Sequence, residues 1–168
     1  MAERDIIFNN EVKYQGIFNY GEFYKFCYDW LMEETQLDFI AEEKYNEKIE
    51  GNKKKIEIKW VGQKQITDFF RFDFEVKFKM LQLEKIEINQ GGIKINTNKG
   101  MAEIKMKGIL VRDYKGKFEK NALQIFLRTA YEKWIIPGRI DQMEGKLFGS
   151  CDEFLAQAKA FLDLEGKR

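Results

Sequence analysis

Paired carboxylates are the residues of this sequence that could most readily do acid–base chemistry. They stand side by side at Glu33-Glu34, Glu42-Glu43 and Asp152-Glu153. Catalysis by two carboxylates needs a fixed separation across a cleft, which spacing along the chain does not reveal. We therefore interpret these pairs as solvated edges of helices and strands. The segment Arg112-Asp113-Tyr114 ends a predicted strand, and a turn that satisfies its own backbone is the favoured interpretation there.

The residue types of this chain give little support for nucleophilic catalysis or for metal binding. The sequence has no histidine, which removes the usual general base and the commonest metal ligand. Its two cysteines, Cys27 and Cys151, form no CxxC pair, and both lie on apolar stripes of predicted helices, where thiols act as small hydrophobes. We predict no catalytic residue, no metal site and no cofactor. An enzyme is the third hypothesis, and it would have to use carboxylates, Lys, Tyr or Arg.

Two glycine-containing segments and one basic segment are the candidates for binding phosphate or nucleic acid. NQGG (Asn89 to Gly92) and NTNKG (Asn96 to Gly100) are predicted turns and do not fit a phosphate loop. KWVGQKQ (Lys59 to Gln65) mixes an aromatic residue with lysines, as nucleic-acid surfaces do. However, Glu57 lies close by, and 29 basic residues against 28 acidic ones leave a net charge of +1. We predict a solvated hairpin and expect no nucleic-acid partner.

Length and composition predict one domain over residues 1–168. Hydrophobic residues make up 44% of the chain and aromatic residues 15%, enough to build a sizeable core. The sequence shows no signal peptide, and no apolar run approaches the ~20 residues that a membrane-spanning helix needs. A cytoplasmic protein without a transmembrane segment is the expectation.

The clearest element is FFRFDFEVKFKM, from Phe69 to Met80, in which apolar and charged residues alternate. Successive side chains of a strand point to opposite faces, so we expect the even-numbered residues to face helices and Arg71 to Lys79 at odd numbers to face water. After Met80 the phase slips, which predicts a bulge or bend.

Further strands are predicted on both sides of this element. A first strand, Ile6 to Phe18, places one set of residues on one face: Ile6, Phe8, Val12, Tyr14 and Phe18. A second places Leu37, Phe39, Ala41, Tyr45 and Ile49 together. Gly51 to Lys55 is a predicted turn before Ile56, Ile58 and Trp60, and Ala102 to Leu110 forms a late strand. This pattern favours an antiparallel meander with one wet face.

Helices are predicted at both ends of the chain. Asn19 and Glu22 form a capping-box pattern ahead of an apolar stripe of Phe23, Phe26, Cys27, Trp30 and Leu31. Glu119 to Ile136 carries another stripe: Leu123, Phe126, Leu127, Ala130, Tyr131 and Trp134. In the last helix Ile140, Leu147, Phe154 and Phe161 repeat every seven residues, which favours packing on the sheet and leaves dimerisation open. One long helix or two helices broken near Gly149 are both consistent with the sequence.

The predicted fold class is therefore α+β, with a curved antiparallel sheet packed against an N-terminal helix and C-terminal helices. This element order resembles the helix-grip fold of START-like proteins, which bind lipids and small ligands. The segments GIFNYGEFYKFCYDWL, KGILVRDY and FLRTAYEKWIIPGRI are similar to a group of uncharacterised small archaeal proteins. That group has no assigned activity, so the resemblance implies no site residues.

The leading functional hypothesis is a non-catalytic module that binds a hydrophobic small molecule or a lipid tail between sheet and helices. The predicted ligand-binding residues are aromatic: Trp60, Phe74, Phe78, Tyr131 and Trp134. The alternative is a protein-interaction or membrane-surface adaptor that uses an exposed aromatic helix face, such as Tyr20, Tyr24 and Tyr28. The two hypotheses differ in whether the surplus of aromatic side chains surrounds a void or forms an outward patch.

Overall fold

The computed structural model of the chain describes residues 3–116, 121–135 and 137–166, with the side chains of residues 132 and 135 excepted. Strands and helices follow in the order β1 (Glu3–Phe18), α1 (Tyr20–Glu34), β2 (Phe39–Glu50), β3 (Lys53–Gln65), β4 (Phe70–Gln90), β5 (Ile93–Arg112), α2 (Ala122–Ala130) and α3 (Pro137–Gly166). A π-helical turn, Tyr131–Ile135, follows α2 directly. The predicted helix from Glu119 to Ile136 thus falls partly outside the described residues.

The five strands form one curved antiparallel sheet in the order β1-β5-β4-β3-β2. The strands from β2 to β5 are joined by turns, and two glycines with positive φ, Gly91 and Gly92, form the turn between β4 and β5. Helix α1 carries the chain from β1 at one edge of the sheet to β2 at the other. Helices α1 and α3 pack on one face, called here the helix-covered face. The α+β fold class with an antiparallel sheet is confirmed.

Strand β4 supplies the centre of the core, as its alternation predicts. Six residues of this strand are buried on the helix-covered face: Phe70, Phe72, Phe74, Val76, Phe78 and Met80. The prediction for the opposite face is wrong at Asp73, which is buried. Its carboxylate accepts hydrogen bonds from Arg71 Nε at 2.7 Å and Arg4 Nη1 at 2.8 Å. Two guanidinium groups thus replace the water that the carboxylate loses.

β-bulges change the phase of three strands. The bulge predicted after Met80 is confirmed: the register of β4 with β5 shifts between Leu81 and Glu84, and Gln82 has a positive φ of 51°. A second bulge, next to Ile6, turns that side chain away from the face of Phe8, so the predicted common face is wrong there. Such a bulge leaves too little trace in a short alternating pattern to be seen in advance.

Strand β2 and the end of the β4–β5 hairpin also differ from prediction. A bulge between Glu42 and Lys44 interrupts β2, so its apolar residues do not all share one face. The segment Asn96 to Gly100, predicted as a turn, continues β5 and pairs with β4 and β1. Similarly, the turn before β3 is confined to Gly51 and Asn52, and strand pairing resumes at Lys53. Pairing on neighbouring strands outweighs the turn propensity of Asn and Gly in these segments.

The packed helices follow their predicted stripes. Asn19 Oδ1 accepts a hydrogen bond from the backbone N–H of Glu22, which confirms the N-cap of α1. Helix α3 has 30 residues and continues through Gly149 without a break. Leu147 and Phe154 of the predicted seven-residue row are buried, and Ile140 and Phe161 of the same row are half-buried. Cys151, Leu155 and Leu162 are buried beside them. Within the described residues, no helix is long and apolar enough to cross a membrane.

Candidate functional site

Three of the predicted ligand-binding residues lie in the filled centre of the core. Trp60, Phe74 and Phe78 are each at most 2% exposed. The ring of Trp60 lies 4.7 Å from that of Phe78, and Phe23 of α1 packs edge-on against Phe78 at 6.2 Å. Phe74 is opposite Gly108 of β5, where α3 approaches the sheet closely. The structure thus brings Trp60 and Phe78 together as packed neighbours under α1.

The tyrosine row of α1 faces strands β2 and β3. Tyr24 Oη donates a hydrogen bond to Glu42 Oε1 at 2.9 Å, and its ring contacts Trp60 edge-on at 5.1 Å. Tyr20 Oη lies 3.1 Å from Tyr45 Oη. Tyr28 also contacts the Trp60 ring and keeps 39% of its surface exposed. This helix face therefore covers the edge of the sheet, and only Tyr28 retains a sizeable exposed surface.

The other two predicted residues, Tyr131 and Trp134, belong to the π-helical turn, and they differ in burial. Tyr131 is half-buried and its ring contacts Phe69 at 5.8 Å. Trp134 is 76% exposed. It continues a row of outward apolar side chains on α2, of which Leu123 and Phe126 are 65% and 67% exposed and Leu127 is also exposed. We call Leu123, Phe126, Leu127 and Trp134 the α2 surface.

Helix α2 contacts the rest of the molecule through its polar side. None of its residues is buried, and the less exposed positions are Gln124, Arg128 and Ala130. Arg128 Nη2 donates to Glu3 Oε1 at 3.2 Å, and Nη1 lies 3.4 Å from Asp113 Oδ2. A helix on a protein surface normally turns its apolar stripe inward and its charges outward. Here most of the stripe faces outward: Leu123, Phe126, Leu127 and Trp134 are exposed, while Tyr131 at its end packs against the core.

Glu3 holds this arrangement together because its carboxylate contacts two arginines. One oxygen accepts from Arg128, and the other lies 2.8 Å from Arg112 Nη2, which also donates to Asp5 Oδ2 at 2.7 Å. The side chain of Asp113 is 2% exposed, and this residue has a positive φ of 53° in the turn after β5. Arg128 and Arg112 are mostly buried, at 13% and 16% side-chain exposure, while Glu3 remains 40% exposed, so these pairs add little net stability but hold the side chains in one arrangement. They therefore fix which side of α2 faces outward.

The sequence contains two signals for this site, neither of them decisive alone. The apolar stripe of α2 was identified, but a stripe looks the same whether a core or a partner covers it. The segment Arg112-Asp113-Tyr114 was identified as a turn at a strand end, and it supplies one of the carboxylates that hold Arg128. What the sequence does not show is that these two segments meet, since the ion pairs join residues far apart in the chain.

A second feature is an open groove of about 570 Å³ beside the start of α1. Ile56 and Leu83 are buried at its floor, and Tyr20, Tyr45 and Ile49 line its sides. Lys54 Nζ and Glu47 Oε1 form an ion pair at 2.7 Å on the same lining. Burial, together with the hydrogen bond between Tyr20 and Tyr45, raises the pKa of Tyr20 well above its usual range. The groove is apolar below and polar at its rim.

The thiols and the acidic groups offer little reactivity in the described residues. Burial raises the pKa of Cys27, and burial with the nearby charge of Asp152 raises that of Cys151, so both stay protonated at neutral pH. Across residues 3–116, 121–135 and 137–166, no group of three His, Cys, Asp or Glu side chains is placed to hold a metal ion.

Comparison of the chain with models of protein families, with curated proteins and with solved structures found no match.

Proposed function

We propose that the protein is a docking module in which the sheet, α1 and α3 form a body that presents the α2 surface to a partner. The observation that carries this proposal is the reversed orientation of α2: Arg128 faces the body, while large apolar side chains face outward. Scattered exposed leucines are common on proteins, but a contiguous apolar patch marks an interaction surface. This proposal takes up the alternative hypothesis of an exposed aromatic helix face, but it uses α2 instead of Tyr20, Tyr24 and Tyr28 of α1, which face strands β2 and β3.

Folding alone does not account for these apolar side chains. An outward side chain in water gains little from being apolar, whereas a Leu or Phe that becomes buried gains about 1.5–3 kcal/mol. Leu123 and Phe126 expose about two thirds of their surface in the folded protein. Most of the free energy of burying these side chains is therefore gained only when a partner covers them. The polar contacts of Arg128 keep the helix in place before docking, which lowers the entropy that binding costs.

A pair of variants tests the docking proposal. The double variant Leu123→Ser/Phe126→Ser removes the centre of the α2 surface, and Leu164→Ser is a matched control on α3, where Leu164 is 66% exposed. We expect the free energy of unfolding of each variant to stay within about 1 kcal/mol of wild type. Binding of a dye that fluoresces on apolar surfaces should fall in the double variant only. A large loss of stability in the double variant would instead show that folding itself covers these side chains.

Binding of a hydrophobic small molecule or a lipid tail is the second candidate function. The groove of about 570 Å³ favours it, because its buried apolar floor and polar rim suit a ligand with one apolar end. The test is binding of a fluorescent fatty acid to the variants Ile49→Glu and Ile93→Glu, of which only Ile49→Glu should bind it more weakly than wild type. Both side chains are exposed, but only Ile49 lines the groove. Equal uptake by both variants would exclude the groove. In either function, the proposed setting is the cytoplasm.

A further inference from the structure

We infer that the partner of the α2 surface is an anionic lipid bilayer, and this inference rests on the proposed docking function. The first argument is the shape of the surface. Leu123, Phe126 and Trp134 stand on the outer side of one short helix and its π-helical turn, as a ridge instead of a groove. A helix that lies in a membrane interface buries such an apolar side by about 5–10 Å, which is the depth of one layer of side chains.

The second argument is charge. In the sequence from residue 115 to residue 139, six residues are basic and two are acidic, a net charge of +4. The other 23 basic and 26 acidic residues of the chain give a net charge of −3. Lys115 and Arg128 form ion pairs with carboxylates outside the stretch, and without these two the stretch still carries a net charge of +2. Basic residues beside an apolar helix face are attracted to the negative surface of a bilayer that contains anionic lipids.

The placement of single residues supports the same partner. Lys115 pairs with Asp68 and Arg128 with Glu3, whereas Lys133 and Arg139 are exposed. Lys133 lies in the same π-helical turn as Trp134, and Arg139 lies in the first turn of α3. Lys133 Nζ lies 6.0 Å from the centre of the Trp134 ring. Tryptophan prefers the level of the lipid headgroups, and lysine reaches from there to phosphate while its stem covers apolar surface. This pair is therefore suited to the boundary between headgroups and acyl chains.

A second copy of the chain is a less suitable partner. A symmetric dimer through the α2 surface would bring two stretches of net positive charge together, and like charges oppose such an interface. A protein groove that accepts an amphipathic helix would also accept this ridge. It would need acidic groups around an apolar channel, whereas a bilayer with anionic lipids supplies both features over any area.

The test is flotation of the purified protein with vesicles of two compositions. Vesicles of equimolar phosphatidylcholine and phosphatidylserine should carry wild type to the top of the gradient, and vesicles of phosphatidylcholine alone should not. The variant Leu123→Ser/Phe126→Ser should stay at the bottom, while the control Leu164→Ser should float. Equal binding to both compositions would overturn the electrostatic part of the inference, and no binding to either would overturn it altogether.

A charge-matched pair completes the experiment. Lys133→Glu should weaken binding to the phosphatidylserine vesicles by at least about fivefold, because each basic residue near an anionic surface contributes about that factor. Lys48→Glu changes net charge equally at an exposed site on β2 and should stay within about twofold of wild type, and added salt should lower the binding of both. An equal loss in both variants would show that only net charge matters and would overturn the inference.

Sedimentation velocity separates failure of the lipid inference from failure of the docking proposal. If wild type forms dimers that Leu123→Ser/Phe126→Ser abolishes, the α2 surface docks on a second copy and the lipid inference is overturned. If the two proteins sediment alike, float alike and bind an apolar dye alike, both the lipid inference and the docking proposal are overturned.

Discussion

Truncation of the phenylalanines on β4 would show whether the space between sheet and helices is filled. Phe70, Phe72, Phe74 and Phe78 point to the helix-covered face and are each between 2% and 4% exposed. Removing a buried Phe side chain loses its transfer free energy and leaves a cavity, which together cost about 3–5 kcal/mol. We therefore expect all four Phe→Ala variants to lose stability in this range.

The structure also predicts the order within the series. Phe78 touches Trp60 at 4.7 Å and Phe23 at 6.2 Å, both edge-on, and such aromatic pairs add about 0.5–1.5 kcal/mol beyond burial. Phe74 has one comparable ring neighbour, Phe72, at 6.4 Å. Phe78→Ala should therefore show the largest loss, at about 5 kcal/mol, and Phe74→Ala a smaller one.

Urea unfolding followed by circular dichroism measures these losses. A domain of this kind is stable by about 5–15 kcal/mol, so Phe78→Ala could fail to fold, and Phe78→Leu serves as the milder variant with an expected loss of about 1 kcal/mol. Phe126→Ala on the exposed α2 surface is the control and should cost less than about 0.5 kcal/mol. Losses below about 1.5 kcal/mol confined to Phe74 and Phe78 would refute the filled core and favour a ligand cavity there.

Three further predictions concern the packed face and its titrating groups. Gly108→Ala should destabilise the protein by about 1–3 kcal/mol in urea unfolding, because a Cβ there would lie 2.6 Å from Cys151 Sγ on α3; an unchanged midpoint would contradict this approach of helix and sheet. Cys27 and Cys151 should react with a thiol reagent slowly in the native protein and fast in urea, since burial raises the pKa of both, and fast native labelling would contradict it. Burial and the hydrogen bond with Glu42 raise the pKa of Tyr24 to about 12. The folded state therefore holds this proton more tightly than the unfolded state, so stability should fall as pH rises from about 10 to 12, and Tyr24→Phe should flatten that fall if the assignment is correct.

Alternation in the sequence was sufficient to predict the middle of the sheet. Five charged residues interrupt the apolar set of β4, and burying them costs far more than exposing them, so the pattern determines which face is inside. The phase slip after Met80 predicted the bulge for the same reason, because a period of two cannot shift without an inserted residue. A local pattern predicts burial well in a strand, because each side chain can point to only one of two faces of the sheet.

Features that depend on distant partners could not be predicted. Asp73 is buried because Arg4 of β1 donates a hydrogen bond to its carboxylate on the face of the sheet opposite the helices. No residue near Asp73 in the sequence indicates that contact. The orientation of α2 is the larger example. Its stripe satisfies the pattern of a core helix, yet the ion pairs of Arg128 with Glu3 and Asp113 turn it outward. The sequence pattern shows which residues of a helix share a face. Contacts with other segments determine whether that face points to the core or to solvent.

The candidate site was predicted only in part. Tyr131 and Trp134 were identified among the ligand-binding aromatic residues, and they lie on or beside the α2 surface. Trp60, Phe74 and Phe78 were identified by the same criterion, their aromatic character, and lie in the core. Aromatic residues serve both environments because they combine large apolar area with few rotatable bonds. Aromatic character alone could not show which of these five residues lie in the core and which lie at the surface.

The most direct measurement of the central claim is the polarity around residue 126. In Phe126→Cys, a polarity-sensitive fluorophore attaches to the new thiol, since both native cysteines are buried, and Leu164→Cys serves as the matched exposed site on α3. The account predicts water-like emission at both sites in the free protein. It also predicts a blue shift at residue 126 alone when vesicles containing phosphatidylserine are added. An apolar environment at residue 126 in the free protein, or identical emission at the two sites with vesicles present, would contradict the claim that α2 presents an outward docking surface.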